Sequence, residues 1–373
     1  MTKPRILIID NSIAVTGALK SIVRTSYDLK DRFDFVFLIP KYSKARFWIE
    51  SSGFANVYEL PMLELSKRPL SLISYLPVLL VNTFRLNRII VKEQIQLIHS
   101  NDLFNMLPVL ISCFRNKFSY ICHVRFLPDK FPRLLYFGWL KAHLRKAIFL
   151  ICVSNYLRNK LPLHDKIKMI YNELPIKEKY SGDLPKKNII LYLANIIQGK
   201  GQDKAIQAFS QLANNYPDWK LRFVGGDMGL DKNVKFKEEL INTCHKKGIQ
   251  SQVEWVGFTH DVELEFRTAS IALNFSESES FSITCVEAAF FGCPMIATRS
   301  GGPSEIINDQ ETGLLVEVND INGMVSAMEK LLNSKNLREQ YALAAKSSVT
   351  ERFSIQNTSE KLNSLYKGAL HRV

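Results

Sequence analysis

Short apolar-rich runs alternate with longer polar or amphipathic stretches along the whole chain. In the first half, these runs are five to seven residues long and end at polar turns, which is typical of strands buried on both faces of a parallel sheet. They span residues 5–10, 33–39, 96–100, 120–124, 148–153 and 167–171. The segments between them are long enough for crossover helices, so the pattern predicts a parallel α/β domain.

The same alternation begins again in the second half. Its predicted strands span residues 189–194, 221–226, 253–257, 271–275, 294–298 and 313–317. The stretches 203–215 and 324–334 have the apolar spacing of helices between such strands. We therefore predict an α/β fold of two doubly wound, Rossmann-like domains that face each other across a ligand-binding cleft.

The polar segment 172–188 carries Pro and Gly and has no apolar periodicity, which is typical of a domain linker. It places the first domain at 1–177 and the second at 183–350. The remaining segment, 351–373, is predicted to be a helix that packs back toward the first domain.

Charge separates the two halves of the 373-residue chain. The formal net charge is +13, yet residues 1–180 hold 28 Lys and Arg against 13 Asp and Glu, whereas residues 181–373 hold 21 against 23. The basic excess thus belongs to the first half and indicates an anionic partner there. A nucleic-acid-binding protein would also be basic, but no motif of a known nucleic-acid-binding module is present, so nucleic acid is not the expected partner.

Two segments of the basic half indicate contact with a membrane surface. The uncharged stretch 69–84 is shorter than the roughly 20 residues that span a bilayer and contains Pro77, so it is either an interfacial segment or a buried helix. The stretch 126–149 places Lys and Arg among Phe, Tyr and Trp. It is either a helix with an apolar core face and solvated cations or a contact with an anionic membrane surface, and we favour the second.

The cysteines and the N-terminus both favour the cytoplasm. None of the six cysteines forms a C-x-x-C pair or has the spacing of a zinc site, so we expect buried, reduced thiols and no metal. The N-terminal residues run directly into a strand pattern without an export signal. We predict a cytoplasmic protein that is peripheral on the inner face of the plasma membrane.

The segment 274–305 has the highest density of candidate functional residues. Glu279 and Glu287 flank a Ser-rich turn that leads from a strand into a helix. The backbone N–H groups at such a helix N-terminus bind anions, which suits a diphosphate, while nearby carboxylates suit the hydroxyls of a sugar or ribose. Alternatively, because eight residues are about two helical turns, the two glutamates could simply share a solvated face.

These motifs resemble the retaining glycosyltransferases of family 4 (glycosyl transferases group 1), which have the GT-B fold. The resemblance rests on the E-x7-E of ESFSITCVE and on the later GGPSE and TGLLV segments. In the same order along the chain, TGALKSI resembles the family's first Gly-rich turn, ICHVR its histidine strand and LANIIQGKGQDKAIQAF its phosphate-binding segment. The ordered set covers nearly the whole chain and implies an enzyme with a nucleotide-sugar donor.

The resemblance implies a donor site in the second domain. Lys200 would neutralise the diphosphate, Glu287 would bind the ribose hydroxyls and Glu279 would bind the hydroxyls of the transferred sugar. Backbone amides would complete this site, namely those of Phe281, Ser282 and Ile283. Lys200 and Glu279 are therefore both binding and catalytic candidates. Because helix N-termini and Lys200 can stabilise the leaving diphosphate, we expect neither a metal nor another cofactor.

In the first domain, the resemblance implies two candidates. Gly17 would let backbone approach the phosphates, since a side chain there would obstruct them. His123 would be a catalytic polar contact near the transferred sugar, although a histidine in an apolar strand is otherwise usually a core residue. His99 has a similar position, but we expect it to be structural or near the acceptor.

The sequence departs from the family pattern at the phosphate-binding segment. Asn195 occupies the donor-binding position where the family often has an arginine, so one cation for the leaving group is missing. Arg299 is a candidate replacement, with solvent exposure as the alternative. Thr16 and Glu173 each occupy a position where the family usually has glycine.

The expected activity is that of a retaining, metal-independent hexosyltransferase. It would move a sugar from a nucleotide diphosphate sugar, a UDP-sugar rather than a GDP-sugar, to a glycan or polyprenyl-diphosphate-linked acceptor of bacterial surface polysaccharide. An epimerase of sugar nucleotides or a phosphorylase with the same fold is the alternative. Nucleic-acid binding is the alternative from another functional class.

Overall fold

The computed structural model describes residues 3–62, 71–115, 118–174, 179–182 and 184–371. These residues form two compact units: Met1–Glu173 together with Ile355–Val373, and Leu174–Ser354. The division at 173/174 falls within the predicted linker. The predicted boundaries at 177 and 183 lie outside the described residues, as do the start of the uncharged stretch and its flanking Lys67 and Arg68.

The first unit is built on a parallel sheet in which strands and helices alternate. Its strands are β1 (Arg5–Ile9), β2 (Asp34–Pro40), β3 (Val57–Leu60), β4 (Leu97–Ser100), β5 (Tyr120–Val124), β6 (Phe149–Cys152) and β7 (Ile167–Met169). Its helices up to the linker are α1 (Gly17–Asp28), α2 (Ala45–Ser51), α3 (Ser71–Lys92), α4 (Leu107–Phe114), α5 (Arg133–Lys146) and α6 (Asn155–Asn159). The strand order is β3-β2-β1-β4-β5-β6-β7.

The second unit repeats this plan. Its strands are β8 (Lys187–Leu193), β9 (Lys220–Val224), β10 (Val253–Val256), β11 (Ala269–Asn274), β12 (Met295–Thr298) and β13 (Gly313–Val316). Its helices are α7 (Gln202–Leu212), α8 (Asp231–Lys246), α9 (Val262–Thr268), α10 (Ile283–Phe290), α11 (Pro303–Ile306), α12 (Ile321–Leu332) and α13 (Lys335–Arg352). The parallel order β10-β9-β8-β11-β12-β13 completes two Rossmann-like units, which confirms the predicted fold class.

The last helix, α14 (Ile355–Leu370), belongs to the first unit. It packs against α1 and β4, and its Leu362, Tyr366 and Ala369 join the apolar core beneath the sheet. The spacing of these residues, four and three, puts them on one face of the helix. Residues distant in sequence therefore complete the core of the first unit.

Two features of the first unit differ from the sequence-based expectation. Strand β3 was not predicted, because its four residues VYEL are apolar only in part and lie at the sheet edge. The aromatic residues of the stretch 126–149 do not all face solvent: Tyr136 and Trp139 are buried on α5, so they cannot serve as membrane anchors. The large apolar residues that are exposed in this stretch are Phe126, Leu134 and Leu135.

The cysteines are all free, as predicted, but one of them is not buried. Cys113 is exposed on α4, whereas the remaining five are enclosed in the two cores. Within the described ranges, no helix has both the length and the apolar character needed to cross a bilayer.

Candidate active site

The candidate donor residues lie where the strand order of the second unit reverses. Strands β8 and β11 are neighbours in the sheet, and the chain leaves them in opposite directions across it. Lys200 follows β8, and Glu279 follows β11. Because loops after adjacent parallel strands emerge at the same sheet edge, the topology brings these two residues together. In open α/β sheets this switch point is the usual ligand site.

Close backbone packing holds the two loops together. Gly201 has a φ of +85°, and a Cβ atom built on it would lie only 2.1 Å from the carbonyl oxygen of Phe275. Only glycine tolerates both conditions. The hydroxyl of Tyr192 donates to the Lys200 carbonyl and accepts from the Phe275 amide at 2.8 Å, so it ties one loop to the other.

Lys200 and Glu279 form an ion pair between these two loops. The Lys200 Nζ atom is 2.6 Å from Oε1 of Glu279, and the Ser276 hydroxyl donates to the same oxygen at 2.9 Å. The side chains are 35% and 15% exposed, so both remain within reach of a ligand. The pair combines a cation that can bind phosphate with a carboxylate that can bind hydroxyls, and the two charges neutralise each other.

The helix that follows Glu279 begins with a strained, well-supported cap. Ser282 has a φ of +82°, and its hydroxyl accepts from the Cys285 amide at 3.4 Å and from the Asn274 side chain at 2.8 Å. This cap leads directly into α10, whose N-terminal end suits an anion. A left-handed serine held by two hydrogen bonds is the kind of local strain that is found at functional loops.

The remaining donor candidates differ in how deeply they lie. The side chain of Phe281 is buried and packs edge-to-face against Phe353, with 5.5 Å between ring centroids, so only its backbone is suited to a ligand. Ile283 is half-buried at the start of α10. Glu287 is 4% exposed in the second turn of that helix. The structure thus separates a buried carboxylate at Glu287 from a more accessible one at Glu279.

Arg299, the candidate replacement for the missing family arginine, forms ion pairs with carboxylates. Asn195 follows β8, and its carbonyl oxygen accepts a hydrogen bond from the Gln202 side chain at 2.9 Å. The guanidinium of Arg299 instead forms ion pairs with Asp309 at 2.7 Å and Glu317 at 3.2 Å. Two carboxylates therefore compensate the charge of Arg299, and its role as the replacement stays a prediction.

In the first unit, Gly17 is the exposed first residue of α1, directly after the loop that follows β1. Thr16, at a family glycine position, caps this helix: its hydroxyl accepts from the Leu19 amide at 3.2 Å and lies 3.0 Å from the Ser12 hydroxyl. The threonine therefore lacks the conformational freedom of a glycine but provides an N-cap for α1.

His123 lies on β5 and is 6% exposed. Its Nδ1 atom is 2.7 Å from Nε2 of His99 on β4. Burial, followed by the charge of Arg125, lowers the pKa of both histidines well below its usual range. Both rings are therefore neutral at pH 7, which suits hydrogen bonding rather than charge pairing.

Beside His123 lies a buried polar network that was not predicted from the sequence. Arg125 donates to Asn101 at 2.8 Å through Nε and to Asn172 at 2.8 Å through Nη1. Asp10 accepts from Asn101, and Glu173 accepts from Ser21 at 2.8 Å. Burial raises the pKa of Glu173. Arg125 directly follows the histidine strand, but its partners are distant in sequence, so no local pattern identified them.

Two family models match the chain. Residues 44–174 match the model described as Glycosyltransferase Family 4, and residues 176–348 match the model described as Glycosyl transferases group 1. Together they span about four fifths of the sequence. The chain belongs to glycosyltransferase family 4. This match confirms the family that the sequence motifs indicated.

Individual relatives match this member of the family over shorter stretches. N-acetyl-alpha-D-glucosaminyl L-malate synthase of Bacillus anthracis is 30% identical over 52% of this chain and 47% of its own length. The chain thus spans less than half the length of the first curated relatives that it matches.

Solved structures agree with the fold of this chain over nearly its full length. The Anabaena HepE protein, crystallised with UDP and glucose, superimposes with a TM-score of 0.81 and 16% identity, over 97% of this chain and 99% of that one. The lipopolysaccharide outer core galactosyltransferase WaaB superimposes with a TM-score of 0.68 and 16% identity, over 98% of this chain and 99% of that one. At this identity the likeness shows the GT-B fold alone.

Proposed function

We propose that this glycosyltransferase moves a hexose from a UDP-sugar to a glycan or polyprenyl-diphosphate-linked acceptor of bacterial surface polysaccharide, with retention at the anomeric carbon. The observation that carries the proposal is the Lys200–Glu279 pair at the switch point of the second unit, beside the capped N-terminus of α10. UDP is favoured over GDP because HepE, which has the same fold, was crystallised with UDP and glucose.

Donor binding would divide the ion pair between two parts of the ligand. The ammonium of Lys200 would turn to the diphosphate, where the backbone amides of 281–283 also carry partial positive charge. Glu279 would then accept hydrogen bonds from the hydroxyls of the sugar, and the Ser276 hydroxyl would continue to hold its carboxylate. Glu287, deeper in α10, would bind the ribose.

The transfer step exchanges one carbon–oxygen bond for another. The acceptor hydroxyl oxygen bonds to the anomeric carbon on the face from which the phosphate departs, so the configuration is retained. The bond between that carbon and the phosphate oxygen breaks, and its electron pair stays on the phosphate. The acceptor proton moves to the leaving phosphate, while Lys200 and the backbone amides stabilise the developing charge without a metal.

A donor panel tests this function. Radiolabelled UDP- and GDP-sugars are incubated with the protein and lipid-linked acceptors, and the anomeric configuration of the product is read by NMR. We expect incorporation from a UDP-sugar, loss of activity in Glu287→Ala, and normal activity in the surface control Glu339→Ala. Failure of every donor to label any acceptor would contradict the proposal.

The alternatives with the same fold make different products. An epimerase would convert the sugar nucleotide without any acceptor, and a phosphorylase would require inorganic phosphate. Omitting the acceptor and varying phosphate in the same assay separates both from transfer. Binding of nucleic acid would be weak, independent of sequence and steeply dependent on salt if it reflects only the basic charge.

We also propose that α3 contacts an anionic membrane near the acceptor. Four apolar residues of this helix are more than half exposed: Leu76, Leu80, Phe84 and Val91. They are four, four and seven positions apart, so they lie on one side of the helix. Arg85 and Arg88 are exposed beside them, and Phe114 of α4 extends the patch through an edge-to-face contact with Phe84. Apolar residues flanked by cations are typical of interfacial helices.

Vesicle flotation tests the membrane contact. We expect binding to vesicles that contain anionic lipid and loss of that binding in the double variant Leu80→Asp, Phe84→Asp. Leu343→Asp, on an exposed apolar residue of the second unit, is the matched control and should bind as the wild type does. Equal binding of all three proteins would contradict a contact through α3.

A further inference from the structure

Three buried polar side chains of the first unit form a continuous hydrogen-bonded row. Nδ1 of His123 is 2.7 Å from Nε2 of His99, and Nδ1 of His99 is 2.7 Å from the hydroxyl of Tyr366 on α14. His99 and Tyr366 are fully enclosed, and the two imidazole planes lie within 23° of each other.

The row follows from the sheet register. Strands β4 and β5 are parallel neighbours, and His99 pairs with Ile121. His123 lies two residues further along β5 and therefore has its side chain on the same face of the sheet as Ile121. The helix α14 packs on this face, because Ile121, Leu97 and Tyr366 belong to one apolar core.

The row contains two hydrogen bonds, and each of them holds one proton. Each of the three side chains carries one proton that it can donate. A neutral imidazole carries a single N–H, so one of its nitrogens donates and the other accepts. Burial and the charge of Arg125 lower the pKa of both histidines well below its usual range, and burial raises the pKa of Tyr366. All three groups are therefore neutral, and the protons of the row must all point in one direction or all in the other.

The tyrosine determines that direction. Among the described residues, the hydrogen-bond partner of the Tyr366 hydroxyl is Nδ1 of His99. If the hydroxyl accepted from His99, its own proton would be buried without an acceptor, which is less favourable than an unfilled lone pair. The hydroxyl therefore donates to Nδ1 of His99, and Nε2–H of His99 donates to Nδ1 of His123.

We propose that Tyr366 and His99 are positioning residues that fix His123 as its Nε2–H tautomer, so that it presents a hydrogen-bond donor to a substrate oxygen. Some buried polar atoms of the described residues have no hydrogen-bond partner, but Nε2 of His123 does not belong to this group. His123 itself is 6% exposed. A nitrogen that already carries a proton cannot take one from the acceptor. The use of this donor by a substrate rests on the proposed function, whereas the direction of the row does not.

The tautomers can be read by NMR without any substrate. Protein labelled with ¹⁵N at its seven histidines is recorded near pH 7.5, and the two rings are assigned with His99→Gln and His123→Gln. In the wild type we expect protonated Nε2 and unprotonated Nδ1 in both rings. In Tyr366→Phe, Nδ1 of His99 loses its donor, so its resonance should shift and both rings should average between tautomers.

Tyr136→Phe is the matched control. Tyr136 is also buried in the first unit, and its hydroxyl donates to the Phe126 carbonyl at 2.9 Å, so the substitution removes one buried hydrogen bond without touching the row. This variant should keep the wild-type tautomers. A protonated Nδ1 on His123 in the wild-type protein would overturn the proposal.

Kinetics then tests whether the tautomer serves the reaction. We expect Tyr366→Phe to lower kcat about tenfold relative to Tyr136→Phe, with KM for the donor nearly unchanged. Equal kcat in the two variants would overturn the positioning role. If the wild type transferred no sugar at all, the proposed function would fail, while the NMR result would still decide the direction of the row.

Discussion

The sheets of the two units share the same order over six strands, with a seventh strand in the first, but they place different chemistry at the carboxyl ends of the strands. The second unit presents a partly exposed Lys–Glu pair and a helix N-terminus on loops held by backbone packing. The first unit instead buries Arg125, two histidines and several carboxylates in a network beneath its strand ends. One topology thus supports an adaptable ion pair in one unit and a preorganised polar network in the other.

The difference teaches where each unit can tolerate change. In the second unit, Lys200 and Glu279 can exchange partners when an anion binds, because both remain partly solvated. In the first unit, the polar groups depend on one another, because each is enclosed and a lost partner would not be replaced by water. We therefore expect substitutions of Lys200 or Glu279 to affect ligand binding and catalysis, and removal of a charge from the buried network of the first unit to affect stability.

The largest effect should follow removal of the buried cation. Arg125→Met leaves Asp10, Asp102 and Glu173 without their central positive charge, so we expect a loss of about 3–5 kcal/mol in the stability of the first unit. Hydrogen exchange of β4 and β5 during denaturant titration measures it.

The matched control is an arginine of the second unit. Arg222 pairs with Glu254 at 2.6 Å and Glu265 at 3.2 Å but is partly exposed, so Arg222→Met should lower stability by only about 1 kcal/mol. Equal losses in the two variants would remove the contrast between a buried network and a solvated one.

The next effect concerns activity rather than stability. Lys200→Met should lower kcat by about 100- to 1000-fold, because the leaving diphosphate loses its cation, and should leave the unfolding midpoint close to that of the wild type. Lys204→Met is the control, since Lys204 pairs with Asp203 at 3.3 Å on the adjacent helix α7. A loss of activity no greater than in this control would exclude Lys200 from the reaction.

Acidification should weaken the first unit. It buries His99, His123 and His143, and burial lowers the pKa of His143 to about 4. The folded state therefore binds fewer protons than the unfolded chain below about pH 6.5, so the stability that is present above this pH is lost as the pH falls. The raised pKa values of Asp102 and Glu173 act in the opposite direction and offset part of the loss.

We expect a net loss of at most about 3 kcal/mol between pH 6.5 and 5.5 in the first unit, because each of the three buried histidines contributes at most about 1 kcal/mol over this range. The two histidines of the second unit, His245 and His260, are exposed, so its stability should change little over the same range. Hydrogen exchange at both pH values compares the units in one sample. An equal loss of stability in both units would show that the buried histidines do not cause the loss in the first unit.

The smallest predicted effect tests the packing of the donor loops. Gly201→Ala should destabilise the second unit by about 1–2 kcal/mol more than Gly248→Ala. Both glycines have positive φ, but a Cβ at Gly201 would meet the Phe275 carbonyl, whereas one at Gly248 would meet open space. Thermal unfolding of the two variants measures the difference, and equal midpoints would argue against tight loop packing.

The sequence predicted what depends on local patterns. Apolar runs identified the buried strands, and the ordered motifs identified the family, because both leave a signature in consecutive residues. The edge strand β3 was not predicted because it has only four residues, one of them charged, and only half of them are buried. The orientation of Tyr136 and Trp139 could not be predicted either, since an aromatic residue among cations can face either the core or a membrane until its helix is packed.

Long-range pairing limited the prediction of the candidate site. The Lys200–Glu279 contact joins residues 79 positions apart, and the His99–Tyr366 contact joins residues 267 positions apart. The first could be expected from the family motifs, but the second depends on where α14 packs. Likewise, the ion pairs of Arg299 with its two acidic partners join residues 10 and 18 positions apart, and no local pattern predicted them.

Hydrogen exchange with and without UDP tests the central claim most directly, because it reports on both units at once. If the loops after β8 and β11 hold the nucleotide, UDP should protect peptides that cover 195–202 and 276–287, and Glu287→Ala should lose this protection. Peptides of β4 and β5 in the first unit should show a smaller change. Absence of protection at the loops of the second unit, or strongest protection in the first unit, would contradict the account.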